Sequence, residues 1–261
     1  MSWGSRRYAG PLVRAALGLL VAGTAACSRE RLVQGECKPF NGADVCTWAR
    51  MSGNTVLAFG ATIPMKAVES APGEMPMAWP PKADAVIMLP AAVDSAVGFS
   101  NMNIFWEPHG HPPGPYLTPH FDFHFNNISP AEVARIDCAD STKPAMLPAA
   151  YELPDVNIPG VGNLVGLCVP TMGMHALPSA ELHSTALFQK TMIVGYYHKV
   201  PIFVEPMITR ATLMERKTFG LAIPGVTGEP ANVKVPTSFQ AKYDSTAQAY
   251  RFEFSLPAKT S

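Results

Sequence analysis

Proline constrains this chain more than any other residue. Twenty-six prolines are spread along its 261 residues, and each removes a backbone donor and is excluded from the helix interior. The segments between them are short apolar or alternating runs, too brief for long helices and well matched to strands. The sequence therefore predicts a mainly β protein, a single antiparallel β-sandwich or barrel-like domain with a few short helices. Strands are expected from Thr55 to Ile63, Ala85 to Leu89, Gly98 to Glu107, His120 to Asn126, Leu187 to Tyr197, Pro201 to Glu205, Thr218 to Ile223 and Gln248 to Leu256. Helices are expected from Pro130 to Ile136, where Ser129 can cap the first turn and Glu132 suits the positive end of the dipole, and from Met207 to Arg216.

The most regular of these strands also carries the chemistry. In His120-Phe-Asp-Phe-His-Phe125 the two-residue period sends His120, Asp122 and His124 to one face and Phe121, Phe123 and Phe125 to the other. Imidazole and carboxylate are ligands that divalent zinc, copper, nickel and iron share. The preceding run, Trp106 to Pro119, is rich in proline and glycine and forms a stiff loop that delivers His109 and His111 beside the strand. The competing reading is an ordinary half-buried strand whose histidines face water or donate to backbone carbonyls.

Further along, Met172-Gly-Met-His175 reads as a tight turn presenting His175, the preferred distant ligand. Its methionines raise thioether ligation and hence copper, against their commoner use as core fillers. His183 and His198 read as surface residues. Glu205 precedes Pro206 at the end of an apolar run and is read as a ligand, an orienter of an imidazole, a general base, or a cap for the next helix. The expected metal site is His111, His120, His124 and His175, with Asp122 and His109 as additional ligands. Asp122 and Glu205 are the candidate catalytic groups. Three bound imidazoles plus a water would suit hydrolysis, whereas four would close the site. No Gly-x-Ser-x-Gly element marks a serine nucleophile.

Residues 1–26 carry early arginines, an apolar stretch and a run of small residues, which reads as an export signal. Cys27 follows two alanines, as in a bacterial lipobox, leaving lipidation of Cys27 or simple cleavage as the two outcomes. Residues 27–46 are expected to be a lipid-anchor tether and a lead-in segment pinned by a disulfide, the tether and lead-in running from Arg29 to Gly42, and residues 47–261 the β domain. Four cysteines remain, Cys37, Cys46, Cys138 and Cys168, and the pairings Cys37 with Cys46 and Cys138 with Cys168 close the shorter loops. The stretch from Tyr151 to Gly166 reads as a long surface connection. The protein is expected in the periplasm or, as a lipoprotein, at the outer membrane or cell surface. With 20 basic and 20 acidic residues and no basic patch, nucleic acid is excluded as a partner. The expected partners are a metal ion and, through a lipidated Cys27, a membrane; a homo-oligomer is left open.

The run from Trp106 to Phe125, with Met172-Gly-Met-His175 and Phe203-Val-Glu-Pro-Met-Ile-Thr209, resembles an uncharacterised family of exported bacterial proteins, one member of which belongs to an envelope-stress regulon of a thermophile. The resemblance implies His111, His120, His124 and His175 as a shared polar cluster, with Asp122 and Glu205 nearby. Members often carry a tyrosine where Asn126 stands here, so no role for that tyrosine carries over, and no activity comes with the resemblance. Three functions compete on the sequence: an exported, zinc-binding β domain with a metal-activated water; a metal-free interaction or assembly module of the envelope; and periplasmic copper handling.

Overall fold

A computed structural model describes residues 1–4, 29–76 and 78–257. Most of the expected export signal, and Cys27 with it, lies outside the described residues. The first strands are β1 (Glu30–Phe40), β2 (Ala43–Ser52), β3 (Thr55–Pro64), β4 (Ala85–Met88), β5 (Asn101–Glu107), β6 (His120–Asn126), β7 (Tyr151–Glu152), β8 (Val156–Ile158) and β9 (Gly162–Leu164). They are followed by β10 (Met174–Pro178), β11 (Lys190–Tyr197), β12 (Val200–Thr209), β13 (Phe219–Leu221), β14 (Ser238–Asp244) and β15 (Ala249–Ser255). One sheet has the order β1-β2-β3-β15-β14-β13 and the other β4-β5-β6-β12-β11-β10-β7, with antiparallel pairing throughout. The two sheets pack together as a sandwich, and neither closes into a barrel.

Between the sheets lies an aromatic core built from the alternation read in the sequence. Phe121, Phe123 and Phe125 of β6 meet Phe252 and Phe254 of β15 and Phe59 of β3, with Phe123 edge-on to Phe252 at 4.9 Å and Phe125 edge-on to Phe254 at 4.9 Å. The helix at Pro130–Val133 carries the expected Ser129 cap, completed by a reciprocal bond from Glu132.

Several expectations need correction. The segment 29–42, expected as a tether and lead-in, is edge strand β1, whose Cys37 lies opposite Cys46 of β2 in register and is disulfide-bonded to it. The strand expected to stop at Glu205 runs through Pro206 to Thr209, its register to β6 held by Phe203, Val204, Met207, Ile208 and Thr209 on either side of the proline. The helix expected from Met207 therefore starts only at Arg210, where the Thr209 side chain accepts from the Thr212 amide. His175, expected on a turn, lies on β10, and the connection from Tyr151 to Gly166 folds into β7 and the β8–β9 hairpin. A second disulfide joins Cys138 to Cys168 and encloses that connection. The two cystines mark a protein of a non-reducing compartment. Among the described residues no helix is long and apolar enough to cross a membrane.

Candidate metal centre

The second sheet turns its other face away from the core, and register decides what meets there. Asp122 lies opposite Phe105 of β5 and Met207 of β12, His120 opposite Glu107 and Thr209, and His124 opposite Asn103. Ile193 of β11 pairs with Glu205, and His175 of β10 with Gly195 of β11. Since alternate residues share a face, His120, Asp122 and His124 stand in one row beside Glu205, with His175 two strands further on. This face is not solvated. Tyr116, Ile136, Leu167 and Phe188, from the connecting segments, pack on it with Ile193, Phe203 and Met207. His120 is 0 %, His124 2 %, Asp122 4 %, Glu205 2 % and His175 8 % exposed, which removes the reading of strand histidines facing water.

Burial and distance sort the polar residues into two groups of three, His111 with His120 and Asp122, and His124 with His175 and Glu205, each with its ligand atoms within 4.8 Å of one another. In the first, His111 Nε2 lies 3.7 Å from Asp122 Oδ2 and His120 Nε2 3.2 Å from Asp122 Oδ1; in the second, His124 Nε2 lies 3.4 Å from Glu205 Oε2. Two ligand atoms on a tetrahedral ion with bonds near 2.1 Å stand about 3.4 Å apart, so these groups could hold an ion at the spacings they have.

Three of the four rings are aimed from behind. The Nδ1–H of His111 donates to the Pro112 carbonyl at 2.9 Å, that of His120 to the Thr118 carbonyl at 2.6 Å, and that of His175 to the Leu167 carbonyl at 3.0 Å. A backbone carbonyl can only accept, so each neutral ring keeps its Nε2 lone pair on the side of the site. His120 Nε2, Asp122 Oδ1 and Glu205 Oε2 are buried and make no hydrogen bond. A lone pair facing a carboxylate oxygen in a buried site is costly unless a proton or a metal ion lies between them.

Local sequence explains the aiming. Gly110 has φ 67°, and a Cβ on it would fall 2.1 Å from the Tyr116 carbonyl oxygen and 2.4 Å from the Thr118 amide, so only glycine lets the loop fold tightly enough to bring His111 in. Buried Tyr116 anchors that loop, donating to Glu181 at 3.3 Å and lying edge-on to Phe188. Leu167 immediately precedes Cys168, and the bridge to Cys138 ties down the turn whose carbonyl aims His175. Phe203 stacks on His124 at 4.4 Å and meets His175 edge-on. This ring has room because residue 195 is glycine, where a Cβ would sit 1.9 Å from Phe203 Cε1. Gly195→Ala is expected to destabilise the protein by about 1–3 kcal/mol through overpacking and to loosen His124 and His175, seen as a lower urea midpoint together with a weaker metal affinity.

Charge is set by the same packing. Burial favours the neutral form of His111, but the Asp122 carboxylate, aided by the Pro112 carbonyl and Glu107, outweighs it and raises the imidazole to about 9. Burial opposes charge on Asp122 too, yet His120 and His111 hold it well below the usual carboxylate range. Burial and the neighbouring His124 push His175 down to about 3, so it is a neutral imidazole at ordinary pH. Burial raises Glu205, and burial together with Asp122 lifts Glu107 to about 7, where a carboxyl can take and return a proton near neutrality. For His111 the folded value lies above the unfolded value of about 6.5. Its contribution to stability is therefore complete below that pH and lost as pH rises through about 9. Metal-free protein is expected to lose stability over that window and to gain metal affinity, because the ion no longer competes with a proton; urea titrations from pH 6 to 10 would show the slope, and His111→Gln should flatten it.

A cavity of about 530 Å³ opens beside the groups and is lined by His111, Asp122, His175, Glu205 and Glu107 together with Phe105, Met172 and Ile193. The structure does not bring His109 into either group: its exposed ring pairs with Glu74 at 3.0 Å. His183 and His198 are exposed and paired with Glu152 and Asp140. Met174 is packed in the interior with Cys168, Val194 and Tyr196, while Met172 lines the cavity. Glu107 went unnoticed in the sequence, although Asn101, Asn103, Phe105 and Glu107 alternate onto the histidine face. Compared with protein families, curated proteins and solved structures, the chain matches none.

Proposed function

We propose that this is an exported protein of the bacterial envelope that binds a divalent metal, zinc, on the covered face of its second sheet, and that it uses the metal to activate a water. The observation that carries the reading is the set of three imidazoles whose Nδ1 protons are given to backbone carbonyls, so that their Nε2 atoms converge with two buried carboxylates. Two imidazoles and one carboxylate are a ligand set of catalytic zinc, which keeps a further position for water. One of the two carboxylates, Asp122 or Glu205, would hold the ion with two imidazoles, and Glu107, on the cavity wall, would be the group to hold a proton from a metal-bound water. No thioether is needed, which favours zinc over copper. Export is supported by the two cystines and by the basic, apolar and small-residue run before Cys27, the residue through which a lipid would tether the domain.

The test is elemental analysis of the protein purified after export, beside His120→Ala/His124→Ala. The expected result is near-stoichiometric zinc in the natural chain and its loss in the double variant. Iron in place of zinc would change the metal assigned; absence of metal from the natural chain would leave a polar pocket and favour a metal-free interaction module.

A further inference from the structure

The six ligating residues make two complete sets, and one ion can use only one of them. We infer that the site is a paired-metal centre, with one ion on His111, His120 and Asp122 and a second on His124, His175 and Glu205, and that the adjoining cavity receives a small molecule with an uncharged carbonyl head and an apolar body. This rests on the metal reading above and adds the number of ions and the class of ligand.

Each set is self-sufficient. The three contacts of 3.7, 3.2 and 3.4 Å all fall within a set, and each set supplies two imidazoles and a carboxylate. Each also has its own aimed ring, with His111 and His120 held by Pro112 and Thr118 and His175 by Leu167. Buried atoms lacking a hydrogen bond occur in both, His120 Nε2 and Asp122 Oδ1 in one and Glu205 Oε2 in the other, so an ion in a single set would leave the other uncompensated. The sets adjoin because Asp122 and His124 are successive same-face residues of one strand, about 6.6–6.8 Å apart along it, close enough for converging side chains to hold neighbouring ions.

The cavity sets the ligand. It touches both sets through His111, Asp122, His175 and Glu205, and much of its remaining wall is apolar, including Phe105, Leu167, Met172, Leu177, Ile193 and Met207. Lys82, exposed, is the basic side chain of the lining besides the histidines. A phosphate or other strong anion is normally gripped by arginine or lysine donors, whereas a carbonyl oxygen needs only the cations that polarise it. The apolar wall then holds the rest of the molecule.

The experiment uses the full chain loaded with zinc and counts metal by mass spectrometry. Two ions per chain are expected, and one in each of the near-isosteric variants Asp122→Asn and Glu205→Gln. One ion in the natural chain overturns the pair and leaves the metal reading standing; none overturns both. Cobalt is then exchanged for zinc, and its visible bands are followed during titration with benzamide, acetamide and inorganic phosphate. Benzamide is expected to bind at least about tenfold more tightly than acetamide, as burial of a phenyl ring implies, with no response to phosphate. Equal affinities for the two amides, or a stronger response to phosphate, would overturn the assigned ligand class.

Discussion

Phe123→Ala is expected to lower stability by about 3–5 kcal/mol, the cost of removing a fully buried aromatic side chain. Phe123 has no exposed surface, lies edge-on to Phe252 of the opposite sheet at 4.9 Å and stacks with Phe121 at 6.0 Å, so its ring is part of the contact that makes two sheets one sandwich. The cavity left behind is walled by strands and cannot collapse far. Chemical denaturation of the metal-free protein isolates this term. His120→Ala/His124→Ala, on the same strand but on its other face, should abolish metal retention. A loss below about 1 kcal/mol for Phe123→Ala would contradict the sheet packing, because core truncations of this size do not come so cheaply.

Removing the metal from the natural chain is expected to lower the melting temperature by roughly 8–16 °C. A ligand held at about a thousand times its dissociation constant stabilises the folded state by about 4 kcal/mol, and in a chain of this size each kcal/mol is worth about 2–4 °C. The direction follows from the site. Without a metal ion, His120 Nε2 stands 3.2 Å from Asp122 Oδ1 and His124 Nε2 3.4 Å from Glu205 Oε2, and His120 Nε2, Asp122 Oδ1 and Glu205 Oε2 are buried without a hydrogen bond. Scanning calorimetry before and after chelation, with zinc restored in a third sample, reads the effect; a melting temperature indifferent to chelation, in protein shown to carry metal, would mean that the groups are equally comfortable without it. The His120→Ala/His124→Ala variant should not respond to chelator.

The sequence was most legible where a strand has two different environments. His120 to Asn126 was read with its observed limits because one face is aromatic and the other polar, and Gln248 to Leu256 lies within one residue of β15 for the same reason. Strand β1 was misread because most of its residues are exposed on both faces at the edge of its sheet, so Glu30 to Phe40 carries no alternation to detect. Pro206 misled in the opposite direction: a proline inside a central strand is uncommon, and the break it suggested ended the strand at Glu205 and kept a helix cap among that residue's readings, whereas it stands in mid-strand beside His124. All six members of the two groups were legible as residue types. Their division was not, because it depends on the register of β12 on β6, of β11 on β12 and of β10 on β11, and register between distant strands is a property of the assembled sheet.

One covalent bond reaches into the site without belonging to it. The Cys138–Cys168 cystine fixes the turn that carries the Leu167 carbonyl, and that carbonyl holds the His175 ring to one tautomer and one direction. In reducing surroundings the chain would possess the residues of the second group but not the strut that aims one of them. On the proposed metal reading, oxidation would come before metal uptake, and the ion would be drawn from the compartment in which the cystine closes. Ions abundant where the chain is synthesised would meet an unfinished site, so selectivity would be set by place and timing as much as by ligand chemistry.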